Sequence, residues 1–203
     1  FCLLLGYPLG FLMATTTPFW ATVGFIFVLL PLWTSVLVRT YAWMVLLGRN
    51  GVFNRTLIES GIIADPIPML HNFTGVLIGM VHVLLPFAVL PMHSVMKRLD
   101  GTYLRAAASL GANGPQRFFR VWLPLSLPGV ASAASFIFVL ALGDFLTPQM
   151  VGGTSGFTFG RVLYSQFGTA FNWPFGAALS VILALVVIVA ILMGERLGRG
   201  PGV

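Results

Sequence analysis

Apolar residues fill this chain in long runs that shorter polar stretches separate. Four runs, at about 19–38, 73–93, 129–151 and 175–193, are each long enough to cross about 30 Å of hydrocarbon, which takes roughly twenty helical residues. The opening run, about 1–14, reads as a fifth span. It starts inside apolar sequence at Phe1, so the expectation is that its beginning, and one span before it, are missing from this sequence. Every run is too long for a buried strand, and barrel strands would alternate in polarity over about ten residues. Helices satisfy each backbone group within the segment, so they are the form that lipid permits. Pro8, Pro31, Pro86 and Pro91 fall inside runs; in a bundle such kinks are tolerated where neighbouring helices or water satisfy the freed carbonyls. Gly6/Gly10 and Gly75/Gly79 have the small-xxx-small spacing that lets helices approach closely.

Composition agrees with this pattern. Hydrophobic residues make up 58% of the 203 positions and charged ones 8%, against about 25% charged in a soluble domain. The surface must therefore face lipid or other apolar helices. The net charge of +6 raises nucleic acid as a partner, but no dense basic cluster with interleaved aromatics is present to bind it. The basic residues lie instead in loops. Segment 94–128 carries Lys97, Arg98, Arg105, Arg117 and Arg120 against Asp100, and the tail carries Arg196 and Arg199 against Glu195. The other side carries Arg39, Arg49, Arg55 and Arg161 with Glu59 and Asp65. This bias puts 94–128 and the C-terminus in the cytoplasm. The loops 48–72 and 152–174 are then external, and their mixture of Gly, Pro and aromatics suits short interfacial helices.

The chemistry is sparse. Cys2 is the only cysteine, so neither a disulfide framework nor a thiolate metal site can form within the chain. A phosphate-cradling P-loop needs Gly-Lys-Ser/Thr, and the only lysine, Lys97, stands between Met96 and Arg98. No catalytic constellation, cofactor motif or metal-ligand spacing is evident. His71, His82 and His93 recur every eleven residues and read as packing or interfacial residues. Asp144, about fifteen residues into the run that begins near 129, is the sharpest single residue. A carboxylate inside a span costs on the order of 2.5–3.5 kcal/mol at the centre and less near an interface. It reads either as part of a translocation pathway or as an ion-paired or helix-capping group beside Gly143 and Pro148. Tyr41 and Trp43 end the second run, where an aromatic belt is the ordinary reading and a pathway role the sharper one; Arg39 beside them can snorkel to the interface.

Between the runs, Leu104–Pro128 reads LRAAASLGANGPQRFFRVWLPLSLP. Ala106 and Ala107, then Gly111, then Val121, Leu123 and Pro124 follow the spacing E-A-A-x3-G-x9-I-x-L-P, with Arg105 in place of Glu and Val121 in place of Ile. The segment resembles the cytoplasmic EAA loop of binding-protein-dependent ABC importer permeases. Ala106–Ala108 favour a short helix, Gly111 with Asn113-Gly114-Pro115 turns the chain, and Pro124 and Pro128 suit a rigid return. VLVRTYAWMVLLGRNGVFN, LLPFAVLPMHSVMKRLD and LALGDFLTPQMVGG extend the likeness along nearly the whole chain to the spermidine/putrescine-type permeases. The resemblance implies a type I (MetI-like) importer permease of about six spans, five of them present, with 1–203 forming one transmembrane domain and 94–128 its coupling loop. It also implies a multi-pass subunit of a bacterial inner membrane. The implied partners are a cytoplasmic ABC ATPase dimer, a second permease subunit, a periplasmic or lipid-anchored solute-binding protein, and membrane lipid. A secondary transporter or channel driven by an ion gradient is the alternative, although such folds show paired intramembrane ionisable residues and repeated halves.

Overall fold

The computed structural model describes residues 1–153 and 157–198, with only the backbone described at 195, 197 and 198. Arg199 and the side chain of Glu195, both counted in the charge bias, lie outside the described residues, as does 154–156 of the loop 152–174. Among the described residues every regular element is helical: α1 Cys2–Thr15, α2 Pro18–Leu29, α3 Val36–Leu47, α4 Val52–Glu59, α5 Phe73–Arg98, α6 Gly101–Ser109, α7 Gly114–Arg117, α8 Leu123–Gly143, α9 Leu146–Val151, α10 Phe159–Gly168 and α11 Trp173–Gly198. A π-turn, Phe118–Trp122, joins α7 to α8 in one rod. By length and composition, Phe73–Arg98, Gly114–Gly143 and Trp173–Gly194 can each cross a membrane. The short helices α4 and α10 lie in the two loops expected to carry interfacial helices.

Two of the expected spans are corrected. The run 19–38 is not one helix. It breaks through a 3₁₀ turn at Leu30–Trp33, and the helical path beyond is bent by 99°. Pro31 has no N–H to donate and its ring crowds the carbonyl one turn back. The corner is then closed by side chains: the Thr34 hydroxyl donates to the Pro31 carbonyl at 2.8 Å, and Arg39 Nη2 donates to the Thr34 carbonyl at 3.0 Å. Arg39 consequently does not snorkel. It is only 7% exposed, drawn inward by a carbonyl that the broken helix leaves without a backbone donor.

The run 129–151 is also redrawn. The rod starts earlier, at Gly114, and ends at Gly143, while 146–151 forms the separate helix α9. The π-turn explains how the rod enters through Pro124. Leu123 N–H bonds Phe118 O, one residue farther back than in an α-helix, and this wider turn relieves the crowding that a proline imposes on the preceding turn.

The chain forms two compact units. The first contains residues 1–29, 85–138 and the C-terminal part of α11. In it Met13, Val28 and Val89 make a buried cluster with Phe25 and Leu85 packed against it. Gly6 and Gly10 give α1 its close approach to α5: a Cβ on Gly6 would lie 3.0 Å from Met92 Cε, and one on Gly10 3.6 Å from the His93 backbone. The second unit contains residues 30–84 and 139–187. There α3 packs on α4 and α9, and Gly75 and Gly79 face Val151 and Thr147 at separations that leave no room for a Cβ. Both glycine pairs are packing positions. Along Val181–Met193 helix α11 is exposed except at Leu183, Val187 and Ala190, which are half-buried along one face; a helix whose solvent is lipid leaves its remaining apolar faces bare.

The close approach of α8 to α5 sets the first prediction. A Cβ at position 129 would meet Val95 Cβ at 2.9 Å and the Met92 Cα at 3.2 Å, whereas one at 143 meets nothing within 4 Å. Gly129→Ala is expected to destabilise the protein by about 1–3 kcal/mol and Gly143→Ala to cost nothing. The check is the thermal unfolding midpoint of each variant in detergent; equal midpoints would contradict the packing described.

Candidate functional site

The residues singled out from sequence fall into two separate places, one in each unit. The first is the helix–turn–helix from Asp100 to Pro124. Asp100 caps α6: its Oδ1 accepts the Thr102 N–H at 2.8 Å and the Thr102 hydroxyl at 2.7 Å. Those bonds, the backbone N–H first, hold the Asp100 carboxyl below its ordinary range. At the other end Gly111 N–H bonds Ala108 O and Ala112 N–H bonds Ala107 O, with Gly111 at φ +84°. This crossed pair is a Schellman closure, and it requires a left-handed residue at the position that glycine occupies. Asn113 then starts the next helix with a full capping box: its Oδ1 accepts Gln116 N–H at 2.9 Å, and Gln116 Oε1 accepts Asn113 N–H at 3.0 Å. The two short helices are thereby closed by their own residues, with no help from the rest of the fold.

The motif residues distribute along this unit as follows. Arg105 is exposed and its Nη2 donates to the Thr102 hydroxyl at 2.9 Å. Ala106 is exposed and Ala107 half-buried. Val121 lies in the π-turn, and Leu123 and Pro124 open α8. Helix α6 buries no residue, and it leaves Tyr103 57% and Leu110 89% exposed. Beneath it, α1 braces the rod: Phe11 meets Phe118 and Trp122 edge-to-face at 5.5 and 5.3 Å, and Tyr7 Oη lies 2.8 Å from Ser126 Oγ. Ser126 spends its own proton on Leu123 O, so Tyr7 is the donor.

The second place surrounds Asp144, where the structure shows the helix-capping alternative of the two readings. Asp144 stands in the break between α8 and α9, where its Oδ1 accepts the Thr147 N–H at 3.1 Å. Its Oδ2 is shielded from solvent and has no hydrogen-bond partner among the described residues. The break is tied to α10: the Thr158 hydroxyl donates to Asp144 O at 3.3 Å, Phe145 stacks on Tyr164 at 4.5 Å, and Gly160 sits so close to the Leu142 and Asp144 carbonyls that a Cβ would fall within about 3 Å of them. Arg161 donates from Nη1 to the carbonyls of Pro148 and Gly153.

Tyr41 and Trp43 belong to the same unit. Tyr41 is 62% exposed on α3. Trp43 is half-buried, lies parallel to Phe53 at 6.3 Å, and donates from Nε1 to His82 Nδ1 at 3.1 Å. That bond requires Nδ1 of His82 to be unprotonated, which in the neutral ring puts the proton on Nε2. Among the described residues no hydrogen bond or ring contact joins Asp144 to Tyr41 or Trp43. His93 is buried and packs edge-to-face on Phe25 at 4.6 Å, in line with its reading as a packing residue. No group of three His, Cys, Asp or Glu among the described residues could hold a metal ion.

Sequence reasoning missed Asn54. It is fully buried, donates from Nδ2 to Gly48 O and Ile67 O, and accepts Ile67 N–H on Oδ1, so one amide clamps both ends of the loop around α4. In the sequence it stands out only as the first residue of an Asn54-Arg55-Thr56 glycosylation sequon, which does not point to this clamp.

Residues 6–199 match the protein family described as binding-protein-dependent transport system inner membrane component. The chain is 42% identical to the spermidine/putrescine transport system permease protein PotB of Haemophilus influenzae, over 98% of this chain and 69% of the relative. It is 34% identical to PotB of Escherichia coli, over 98% of this chain and 72% of that one. In backbone it resembles a chain of a bacterial alginate ABC transporter solved in complex with an alginate pentasaccharide-bound periplasmic protein, with a TM-score of 0.76 over 97% of this chain and 73% of that chain. Identity to that structure is 17%, so the likeness is one of fold.

The geometry at Asp144 separates its cap from its charge. Asp144→Asn keeps an Oδ1 for Thr147 N–H and is expected to retain wild-type thermal stability in detergent. Asp144→Ala removes the acceptor and is expected to cost about 0.5–2 kcal/mol. If both variants melt alike, the carboxylate is not what starts α9.

Proposed function

This chain belongs to the family of binding-protein-dependent transport system inner membrane components, and on that premise we propose that it lines the path of an ATP-driven importer for spermidine, putrescine or a related polyamine. It is a multi-pass inner-membrane permease subunit of an ABC importer and not an enzyme. A solute-binding protein is a partner of such a subunit. The observation that carries the choice of solute is the 42% identity, over almost all of this chain, to a relative named for spermidine and putrescine.

The remaining parts follow from this reading. Residues 1–203 form one permease domain that pairs with a second permease subunit. Segment 94–128 and the C-terminus face the cytoplasm, in accord with the loop charges, and α6 docks on one of two ABC ATPase subunits. The self-capped helices and the exposed Tyr103 and Leu110 support that role, because a docking element must keep its shape while presenting apolar surface. Closure of the ATPases would then move α6 and, through the π-turn and the aromatic brace, the rod that continues into α8. Asp144 is proposed to line the outer part of the pathway. Its unpaired Oδ2 supports an ammonium-binding role, since a buried carboxylate oxygen without a donor favours a cationic visitor.

Reconstitution of the full complex tests the reading. Spermidine or putrescine uptake should be saturable and should require ATP and the binding protein, while the isolated chain binds no nucleotide. Asp144→Asn should lower uptake with assembly intact. Gly111→Val forces a β-branched residue into a left-handed position, at a cost of at least about 1–2 kcal/mol. It should therefore leave ATP hydrolysis running with little uptake, and Arg105→Glu should be milder because exposed charge pairs contribute little. Uptake of unrelated solutes with polyamines excluded would overturn the substrate, and a fully coupled Gly111→Val would overturn the role of α6.

A further inference from the structure

A small cavity of about 160 Å³ opens where α1 meets the coupling segment, lined by Phe11, Leu104, Gly114, Arg117, Phe118 and Trp122. We propose that it seats the phosphate headgroup of an anionic phospholipid from the cytoplasmic leaflet, held by Arg117. The inference rests on the orientation proposed above for segment 94–128.

Three observations carry it. The first is an unanswered cation. The Arg117 side chain is half-buried and makes no hydrogen bond or ion pair among the described residues, and its Nε is shielded from water. Trp122 Nε1 in the same lining is also buried without an acceptor. Donors left this way are costly unless something accepts from them, and a phosphate offers several oxygens to a guanidinium. The second is the lack of an internal anion. Segment 94–128 has one acid, Asp100, whose Oδ1 already accepts two bonds from Thr102. The third is the shape. The cavity is smaller than the roughly 300–1,000 Å³ of ordinary small-molecule sites, so it suits a headgroup phosphate better than a transported solute. Along the same rod Phe119 is 63% exposed and Leu127, about two turns farther on, 52%. A bare phosphate would leave these apolar side chains unused, whereas acyl chains would cover them. Basic pockets between helices on the cytoplasmic side, with tryptophan at headgroup depth, are where anionic lipids bind.

The cavity adjoins both Leu104 of α6 and Phe11 of α1. A lipid seated there would hold the coupling segment against its brace, so transport should depend on anionic lipid.

The test uses the complete importer, with its partner permease, ATPases and binding protein. It is reconstituted in phosphatidylcholine with or without phosphatidylglycerol, and native mass spectrometry counts the phosphatidylglycerol retained. Wild type is expected to keep it, and Arg117→Gln to retain it about tenfold more weakly. Arg117→Lys should fall between, and Arg120→Gln should match wild type. Trp122→Phe, which removes the indole donor and keeps an aromatic ring against Phe11, gives a second reading should Arg117→Gln fail to assemble, and it too should weaken retention. Uptake should rise with phosphatidylglycerol in wild type and respond less in Arg117→Gln. Equal retention by wild type, Arg117→Gln and Trp122→Phe overturns the proposal. So does displacement of the lipid by inorganic phosphate, which would make the cavity a free-anion site, or efficient crosslinking of Arg117→Cys to an ATPase subunit, which would make its occupant a protein. Arg105→Cys in a Cys2→Ala background, probed with an impermeant maleimide on right-side-out vesicles, reports orientation independently. Labelling from outside would refute the orientation itself, whatever the lipid count.

Discussion

The structure depends on one constraint: a helix interrupted away from water must have its freed backbone groups answered by the protein itself. Each break in this chain meets it with side chains close in sequence. At the corner after Pro31 the Thr34 hydroxyl and the Arg39 guanidinium answer the carbonyls of residues 31 and 34. At the end of α8 the Asp144 carboxylate answers the Thr147 N–H of α9, and Asn54 clamps the loop around α4. These residues look like scattered polar intrusions in an apolar sequence. Their positions are set by where the helices stop.

The exposed segment from Asp100 to Pro124 is closed by local caps as well, although water could answer its backbone groups. Its caps are internal, from Asp100 to Thr102 and between Asn113 and Gln116, and its turn is closed by backbone bonds across Gly111. It can therefore be moved as a body without unravelling, while the edge-to-face contacts of Phe11 with Phe118 and Trp122 tie it to α1. Arg105 bonds to Thr102 one turn back and not to the body of the fold. Replacing the family's Glu at this position therefore changes what a partner meets and leaves the helix itself in place.

Much of this was legible in the sequence. Apolar run length located α1, α5 and α11 because lipid thickness sets a minimum that few other structures need. The Ala-Ala, Gly and Leu-Pro spacing located α6, its turn and the start of α8, because each residue type there answers a backbone demand. The helix breaks were not legible. Pro86 and Pro91 lie inside the continuous α5, while Pro31 sits at a 99° corner, and nothing in the local composition tells the two cases apart. The difference lies in tertiary partners such as Arg39. Asp144 was found but misplaced, since hydropathy carried the run past Gly143 to Val151 when the helix had already ended. The pairing of Trp43 with His82 depends on which helix faces which, and spacing along one chain does not carry that.

The central claim is that α6 is the surface through which ATP hydrolysis reaches this subunit. The most direct measurement is site-directed crosslinking from Leu110→Cys, at the exposed tip of α6, to single cysteines on the ATPase subunit of the assembled importer, with and without ATP. The account predicts efficient crosslinks to the ATPase, with yields that change on nucleotide binding. Crosslinks to the binding protein instead, or none to the ATPase in a complex that transports, would contradict it.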